Sequence, residues 1–281
     1  MTAELGVPWY QASRGAAPCP AGPRPPAQRM SCYPTLPVPL GLDATLTPPH
    51  PCAYLPGRTS VSRGFRCRQV PDWAYQALMD AGFRRSGDVF YQMLCPHCRS
   101  CVPLRVPVAR FARSRGQRRV WRRNQDLRVS YGPPTATPEK HRLYRRYLEA
   151  RHDGSMSGDW DEMELFLFRS PTETLEVCYR DPSGALLGVG ICDLAANALS
   201  TVYFFFEPTQ ARRSLGIFSS LVELEMARKL GMAFYYLGYW VSGCRRMEYK
   251  SALQPAEGLC SDGCWRPLGA VTPDTDPLIP F

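Results

Sequence analysis

Three cysteines follow one another at intervals of three residues in the segment CPHCRSC, namely Cys95, Cys98 and Cys101. Thiolates at this spacing are typical ligands of Zn²⁺ or of an iron–sulfur cluster. The chain has 12 cysteines and no basic segment followed by an apolar run at its N-terminus, so reduced thiols or ligands are favoured over disulfides. The segment therefore predicts either a soft-metal site or a group of free thiols.

Five arginines follow these cysteines and fall on one face of a helix predicted over residues 114–127. Ser114 and Gln117 have the spacing of a capping box, and no acid precedes Asp126 in this segment. The arginines recur at i, i+3, i+4, i+7 and i+8, as Arg115, Arg118, Arg119, Arg122 and Arg123. A solvated helix usually carries charges of both signs, so this face favours a nucleic-acid backbone as its partner.

The composition agrees with an anionic partner. The formal net charge is +9 over 281 residues, and almost all of the basic residues are arginine. Codon usage can also produce an arginine-rich chain, so the placement of the arginines is more informative than their number. The longest apolar run is too short to cross a bilayer, and a soluble, cytoplasmic protein is predicted.

Hydrophobic periodicity predicts the elements that must position these residues. Helices are expected over residues 71–82, 114–127, 137–152, 159–169 and 212–230, and strands over residues 83–94, 102–111, 174–207 and 234–239. The order of the later elements is that of a GNAT-type acyltransferase core. Successive strands are followed by a helix that begins at the basic turn Arg212-Arg213-Ser214, and then by a final strand. The free N–H groups at such a helix N-terminus bind phosphate or carbonyl oxygen.

The predicted fold class is α+β, with a GNAT-type acyltransferase core and an N-terminal cysteine-containing subdomain. The expected divisions are an irregular proline-rich arm at 1–50, the cysteine-containing subdomain at 51–111, a GNAT-like transferase domain at 112–259 and a loosely ordered tail at 260–281.

Six segments, in this order, resemble one family: the aminoacyl-tRNA–protein transferases, and within it the bacterial aspartate/glutamate leucyltransferases. The segments are PCAYLPGR at 51–58, AGFRRSG at 81–87, CPHCRSCVPLRV at 95–106, SRGQRR at 114–119, ARRSLG at 211–216 and LGYWVSGCRRMEYK at 237–250. Residues 1–50 and the pair Cys260 and Cys264 lie outside the resemblance. The segment VYFFFEP at 202–208 departs from the family pattern, because Glu207 stands where an aspartate is common.

The resemblance implies transfer of leucine, or of arginine as in related enzymes, from aminoacyl-tRNA to the N-terminal amine of proteins beginning with Asp or Glu. The product is marked for the N-degron pathway. Attack of an amine on an activated ester needs no covalent enzyme intermediate, and an α-amine titrates near pH ~8. Positioning and N–H donors at the oxyanion should therefore carry catalysis, and no nucleotide cofactor is expected.

The candidate residues fall into three groups. The catalytic candidates are His152, Tyr203 and Lys250. The candidates for tRNA binding are the five arginines of the helix together with Gln117, and those for substrate binding are Arg212, Arg213, Ser214, Tyr239 and Tyr249. For each tyrosine the alternative is a core position with a satisfied hydroxyl group.

The resemblance also extends the metal site, with Cys52 as the expected fourth ligand and with Cys67 and His97 as its rivals. A structural Zn²⁺ or iron–sulfur site is favoured over a catalytic one, because acylation of an amine needs no Lewis acid. Redox sensing through a cluster is the remaining alternative.

Three other functions compete with the transferase hypothesis. An acyl-CoA-dependent N-acetyltransferase would need a glycine-rich pyrophosphate loop, but residues 211–216 contain only one glycine. The hypothesis of a non-catalytic RNA-binding module does not explain the presence of the strands at 174–207. A family member that modifies one dedicated peptide is compatible with the atypical termini.

Overall fold

The structure is a computed structural model that describes residues 44–152 and 156–271. These residues lie within one compact unit, Cys32–Phe281. Residues 1–43 of the predicted proline-rich arm lie outside the described residues. No helix of the described chain combines the length and the hydropathy that a bilayer crossing needs.

The described residues form fourteen strands and six α-helices. The strands are β1 (Thr45–Leu46), β2 (His50–Pro51), β3 (Thr59–Ser60), β4 (Ser62–Arg66), β5 (Arg84–Ser86), β6 (Val89–Met93), β7 (Cys101–Pro107), β8 (Arg128–Gly132), β9 (Thr174–Arg180), β10 (Leu186–Ala195), β11 (Ala198–Phe206), β12 (Phe234–Val241), β13 (Glu257–Leu259) and β14 (Trp265–Pro267). The helices are α1 (Asp72–Asp80), α2 (Arg115–Arg123), α3 (Pro138–Arg151), α4 (Trp160–Met163), α5 (Leu215–Lys229) and α6 (Arg245–Glu248). A π-helical turn, Glu164–Phe168, continues α4, and 3₁₀ turns occur at Val108–Arg110, Pro208–Arg213, Tyr249–Ala252 and Leu268–Ala270.

An eight-stranded sheet is the centre of the molecule, with the strand order β14-β13-β7-β12-β11-β10-β9-β8. Its neighbouring strands are antiparallel except for β11 and β12, which are parallel. The long β9–β10–β11 meander is buried along most of its length, as its apolar, β-branched sequence predicts. The mixed α and β architecture with a large sheet agrees with the coarse fold class expected from the sequence.

Helices α3 and α5 cover opposite faces of this sheet. Ile191 and Phe205 pack with α3. Phe204, which precedes Phe205, packs against Tyr179, and Tyr179 contacts Phe218 of α5. Successive side chains of a strand point to opposite faces, so the alternation of apolar residues here is that of a sheet buried on both sides. Helix α2 then packs on the outside of α5.

A smaller four-stranded sheet, in the order β1-β4-β6-β5, carries the N-terminal part of the described chain. Together with α1 it shares a core with Ala195, Ala198 and Tyr236 of the large sheet. The small and large sheets thus share apolar contacts across the division predicted at 111/112. Strand β7 lies before that boundary and pairs with β12, which lies after it.

Residues 260–271, the described part of the predicted loosely ordered tail, contain a hairpin, and the rest of that tail lies outside the described residues. Cys260 and Cys264 close a hairpin through the bond from the Cys260 N–H to the Cys264 carbonyl, at 2.9 Å. The hairpin places β14 at the edge of the large sheet. Trp265 anchors it, because the indole N–H donates to the Asp80 carbonyl at 3.1 Å.

Candidate active site

Strands β11 and β12 run side by side for only three residue pairs and then separate. Residues 198–200 pair with residues 234–236, whereas residues 201–206 and 237–241 are not paired with each other. Each strand keeps its other neighbour, because β11 continues along β10 and β12 along β7. Main-chain polar groups on the facing edges are therefore directed into an opening. We call this opening the fork, defined as residues 201–206 of β11 and 237–241 of β12.

A covering segment, residues 245–252, lies against β12 beside the fork. It consists of α6 and the 3₁₀ turn that follows. Lys250 is buried and its Nζ donates to the Tyr239 carbonyl at 2.8 Å. Burial, and next the charge of Arg84, lower the pKa of Lys250 to about 7. Tyr249, the preceding residue, has a side chain that is 41% exposed.

Helix α2 joins this covering segment to the start of α5. Its capping box is confirmed, because Ser114 accepts from the Gln117 N–H while the Gln117 side chain accepts from the Ser114 N–H. The Asn124 amide donates to the Arg213 carbonyl at 2.9 Å. The Gln117 amide donates to the Ala252 carbonyl, also at 2.9 Å. The buried face of α2 thus fixes two elements that border the fork.

The opposite face of α2 carries the arginines predicted to bind tRNA. All five are exposed to solvent: Arg115, Arg118, Arg119, Arg122 and Arg123. Gln117 is not part of this face. Because it is buried and its amide oxygen and nitrogen are both bonded within the chain, it supports the helix and does not offer a contact to RNA. Its assignment to tRNA binding is corrected accordingly.

The basic turn before α5 is only partly available to a ligand. Arg213 makes a two-point ion pair with Asp126, at 2.9 and 2.8 Å, so its charge is balanced within the chain. Arg212 is exposed, and its carbonyl accepts from Arg123. Ser214 adopts a left-handed backbone conformation with φ 54° and does not cap α5 with its side chain. Of the three predicted contacts in this turn, the Arg212 side chain is the one left exposed.

Tyr203 and His152, two of the predicted catalytic residues, lie close together at the C-terminal end of α3. The Tyr203 hydroxyl lies 3.3 Å from His152 Nε2. Burial raises the pKa of Tyr203. The ring of Tyr203 packs against Tyr147 and Phe166, so the hydroxyl stands at the rim of an aromatic cluster.

The side chain of Tyr239 occupies a core position with a satisfied hydroxyl group, which is the alternative given above for each tyrosine. Its assignment to substrate binding is corrected accordingly. Tyr239 is buried in the core, its hydroxyl donates to the Gly82 carbonyl at 3.1 Å, and the Met93 N–H donates to that hydroxyl at 3.3 Å. Both hydrogen-bonding capacities are therefore used, and only the main chain of Tyr239 faces Lys250.

Sequence reasoning missed two buried charged residues beside the fork. Arg84 donates from Nη2 to the Thr201 carbonyl at 2.6 Å, where β11 leaves β12. Glu223 of α5 is fully buried and accepts from the Tyr235 hydroxyl at 2.6 Å, and burial raises its pKa to about 7. The available signals were the double arginine of AGFRRSG and a single acid within the apolar face of α5.

The predicted metal ligands converge around Cys101. Burial raises the pKa of the Cys101 thiol, and the neighbouring thiols of Cys95, Cys52 and Cys98 raise it further. The described residues nevertheless contain no group of three or more His, Cys, Asp or Glu side chains placed to hold one metal ion together. The four thiols therefore share a corner of the fold without forming a ligand set as they stand.

Cys52 is an acceptor of main-chain hydrogen bonds. Its Sγ accepts from the main-chain N–H groups of Tyr54 and Leu55, each at 3.4 Å. Of the two rival ligands, Cys67 donates to a nearby main-chain carbonyl at 3.2 Å, and His97 is exposed in the turn between Cys95 and Cys98 with φ 58°.

Comparison with known proteins places the chain in a family. Residues 50–119 match the family model "Arginine-tRNA-protein transferase, N terminus", and residues 139–260 match "Arginine-tRNA-protein transferase, C terminus". The aspartate/glutamate leucyltransferase of Nitrosococcus oceani is 41% identical over 218 residues, covering 76% of this chain and 92% of that protein. The aspartate/glutamate leucyltransferase of a Pseudomonas putida strain is 42% identical over 217 residues, covering 75% of this chain and 91% of that protein.

Among solved structures, the crystal structure of FemX is similar with a TM-score of 0.44 and 10% identity, over 72% of this chain and 81% of that chain. The family models and the coverage of the relatives confirm the resemblance found in the six sequence segments. The chain belongs to the arginine-tRNA-protein transferase family and is an aminoacyltransferase.

Proposed function

We propose that this enzyme transfers leucine from Leu-tRNA to the N-terminal α-amine of proteins that begin with Asp or Glu, which marks them for the N-degron pathway. The observation that carries the proposal is the fork between β11 and β12, held by α2 beside a surface of five exposed arginines. The names of the relatives, aspartate/glutamate leucyltransferases, supply the donor amino acid and the acceptor class.

We assign the large sheet and α5 to a GNAT-type acyltransferase core. The support is the order β9-β10-β11-α5-β12 together with a parallel strand pair that separates after three residues. The cysteine-containing part contributes the small sheet and the corner around Cys101. In this assignment the fork receives the acyl group, and main-chain N–H groups on its edges hold the carbonyl oxygen.

The reaction forms one C–N bond and breaks one ester C–O bond. The acceptor α-amine attacks the carbonyl carbon of the aminoacyl ester and loses a proton. The ribose oxygen of the terminal adenosine leaves and takes up a proton, which restores the hydroxyl group. Because the ester is already activated, holding the amine close to the carbonyl carbon supplies most of the rate enhancement.

We assign proton movement to Tyr203 and His152, and the support is their separation of 3.3 Å together with the position of Tyr203 on the part of β11 that borders the fork. Since burial raises the pKa of Tyr203, this hydroxyl stays protonated and relays a proton without holding a negative charge. The His152 imidazole then accepts the proton from the amine, since a neutral imidazole nitrogen can act as a general base.

The proposed function is tested by incubating the protein with radiolabelled Leu-tRNA or Arg-tRNA and with peptides that begin with Asp, Glu or Lys. We expect label from Leu-tRNA on the peptides with acidic N-termini and none on the Lys peptide. Acetyl-CoA with the same peptides is the control for an N-acetyltransferase. Transfer from neither tRNA would refute the proposal.

We also propose that Cys52, Cys95, Cys98 and Cys101 bind Zn²⁺ or an iron–sulfur cluster that staples residue 52 to the turn before β7. Two observations support this proposal: the other three thiols lie near that of Cys101, and two main-chain N–H groups donate to Cys52.

Metal analysis of the protein purified without added metal should find zinc or iron. Cys101→Ser should lose it, whereas Cys264→Ser, a change of an exposed thiol, should retain it. Equal metal content in the two variants would contradict the assignment.

A further inference from the structure

Arg84 places a positive charge at the point where β11 and β12 separate. Its Nη1 donates to Ser200 Oγ at 2.9 Å and its Nη2 to the Thr201 carbonyl at 2.6 Å. On the β12 side the guanidinium lies against Gly238, where an added Cβ would stand 3.0 Å from Arg84 Nε. Gly238 also has φ 78°, so glycine is required there both by its backbone and by the closeness of the cation.

Lys250 supplies a second cation beside the first. Its Nζ is bonded to the carbonyl of Tyr239, the residue that follows Gly238. Arg84 and Lys250 therefore approach two consecutive residues of β12 from the small sheet and from the covering segment. Both residues are 8% exposed, so each is nearly buried beside the fork.

Other buried cations of this fold are balanced by acids. Arg85, the neighbour of Arg84, is paired with Asp193, and Lys140 is paired with Glu176. In residues 44–152 and 156–271, the hydrogen bonds of Arg84 and Lys250 go to a hydroxyl and to carbonyl oxygens, and no carboxylate is paired with either one. A buried charge without a counter-charge is costly, so a guanidinium and an amine that lie side by side without an acid favour the binding of an incoming anion.

We propose that Arg84 and Lys250 bind the side-chain carboxylate of the acceptor's N-terminal Asp or Glu. This inference rests on the proposed function and adds the recognition element for the acceptor. The α-amine and the side-chain carboxylate belong to the same residue, so a carboxylate held at the base of the fork brings the amine to the acyl carbonyl. An N-terminal Asn or Gln has the same shape but leaves both cations unpaired, and such sites reject the neutral analogue strongly.

The test compares peptides that begin with Asp and Asn, with Leu-tRNA as donor, for the wild type and the variants Lys250→Gln and Arg84→Gln. We expect the wild type to prefer Asp on the order of 100-fold or more in kcat/KM. In each variant kcat/KM for the Asp peptide should fall on the order of 10- to 100-fold, mainly through KM, while the Asn peptide is little affected. The KM for Leu-tRNA should stay the same.

The ratio of the two kcat/KM values is measured within one preparation, so it does not depend on how much of a variant is correctly folded. Arg66→Gln is the matched control, since Arg66 is an exposed arginine in a surface ion pair with Asp88. This variant should keep the wild-type ratio.

Two results would overturn the inference while leaving the proposed function intact. One is an unchanged Asp-to-Asn ratio in both variants of an enzyme whose wild type transfers leucine. The other is loss of bound metal with an unchanged ratio, which would mean that the two cations balance the nearby cysteine thiolates. If the wild type itself transfers leucine to no acceptor, the proposed function fails and the inference falls with it.

Discussion

Replacing Asp193 with alanine should lower the free energy of unfolding by about 3–5 kcal/mol, because the change leaves a buried guanidinium without its counter-charge. Asp193 and Arg85 are both fully buried side chains. Their two contacts are Arg85 Nε to Asp193 Oδ2 at 2.6 Å and Nη2 to Oδ1 at 2.7 Å. The Tyr75 hydroxyl and Thr174 Oγ1 donate to the same carboxylate at 2.9 and 2.6 Å, so four donors lose their acceptor at once.

Urea denaturation followed by circular dichroism measures the effect. The matched control is Asp88→Ala, which removes an exposed acid paired with Arg66 and should change stability by no more than about 1 kcal/mol. Since Arg85 lies in β5 and Asp193 in β10, the pair joins the small sheet to the large one. A loss in Asp193→Ala no greater than in the control would show that this ion pair does not stabilise the contact between the two sheets.

The triple variant Arg118→Ala, Arg119→Ala and Arg122→Ala should bind aminoacyl-tRNA much more weakly and with a flatter salt dependence. Each phosphate contact contributes about 0.7–0.9 to the slope of log K against log salt, so the loss of three should reduce the slope by roughly 2. These side chains are exposed and the described chain gives them no carboxylate partner, so the cations are available to an RNA backbone. Filter binding at several salt concentrations measures both quantities.

The control for this variant removes the same net charge elsewhere. Arg66, Arg169 and Arg266 are exposed and each is paired with an acid on the surface. Their triple replacement by alanine should leave the salt slope close to that of the wild type. If both triple variants lose the same slope, the tRNA is held by the net charge of the protein and not by the face of α2.

The sequence determined the features that depend on neighbours in the chain. The capping box of Ser114 and Gln117 spans one helical turn, and the arginine face follows from the helical period, so both were readable from spacing. The β9–β10–β11 meander was readable because its hydrophobic strands are joined by short turns. The family followed from six motifs in order, each of which is a local string of residues.

Tertiary structure decided what those residues contact. Gln117 lies on a helix that a local pattern identifies, yet its amide is bonded to Ala252, 135 residues away. Arg85 pairs with Asp193, 108 residues away, whereas the adjacent Arg84 binds the Thr201 carbonyl where β11 and β12 separate. Such partners depend on strand order and register, which bring distant segments together through the packing of the whole core and leave no periodic signal in the sequence.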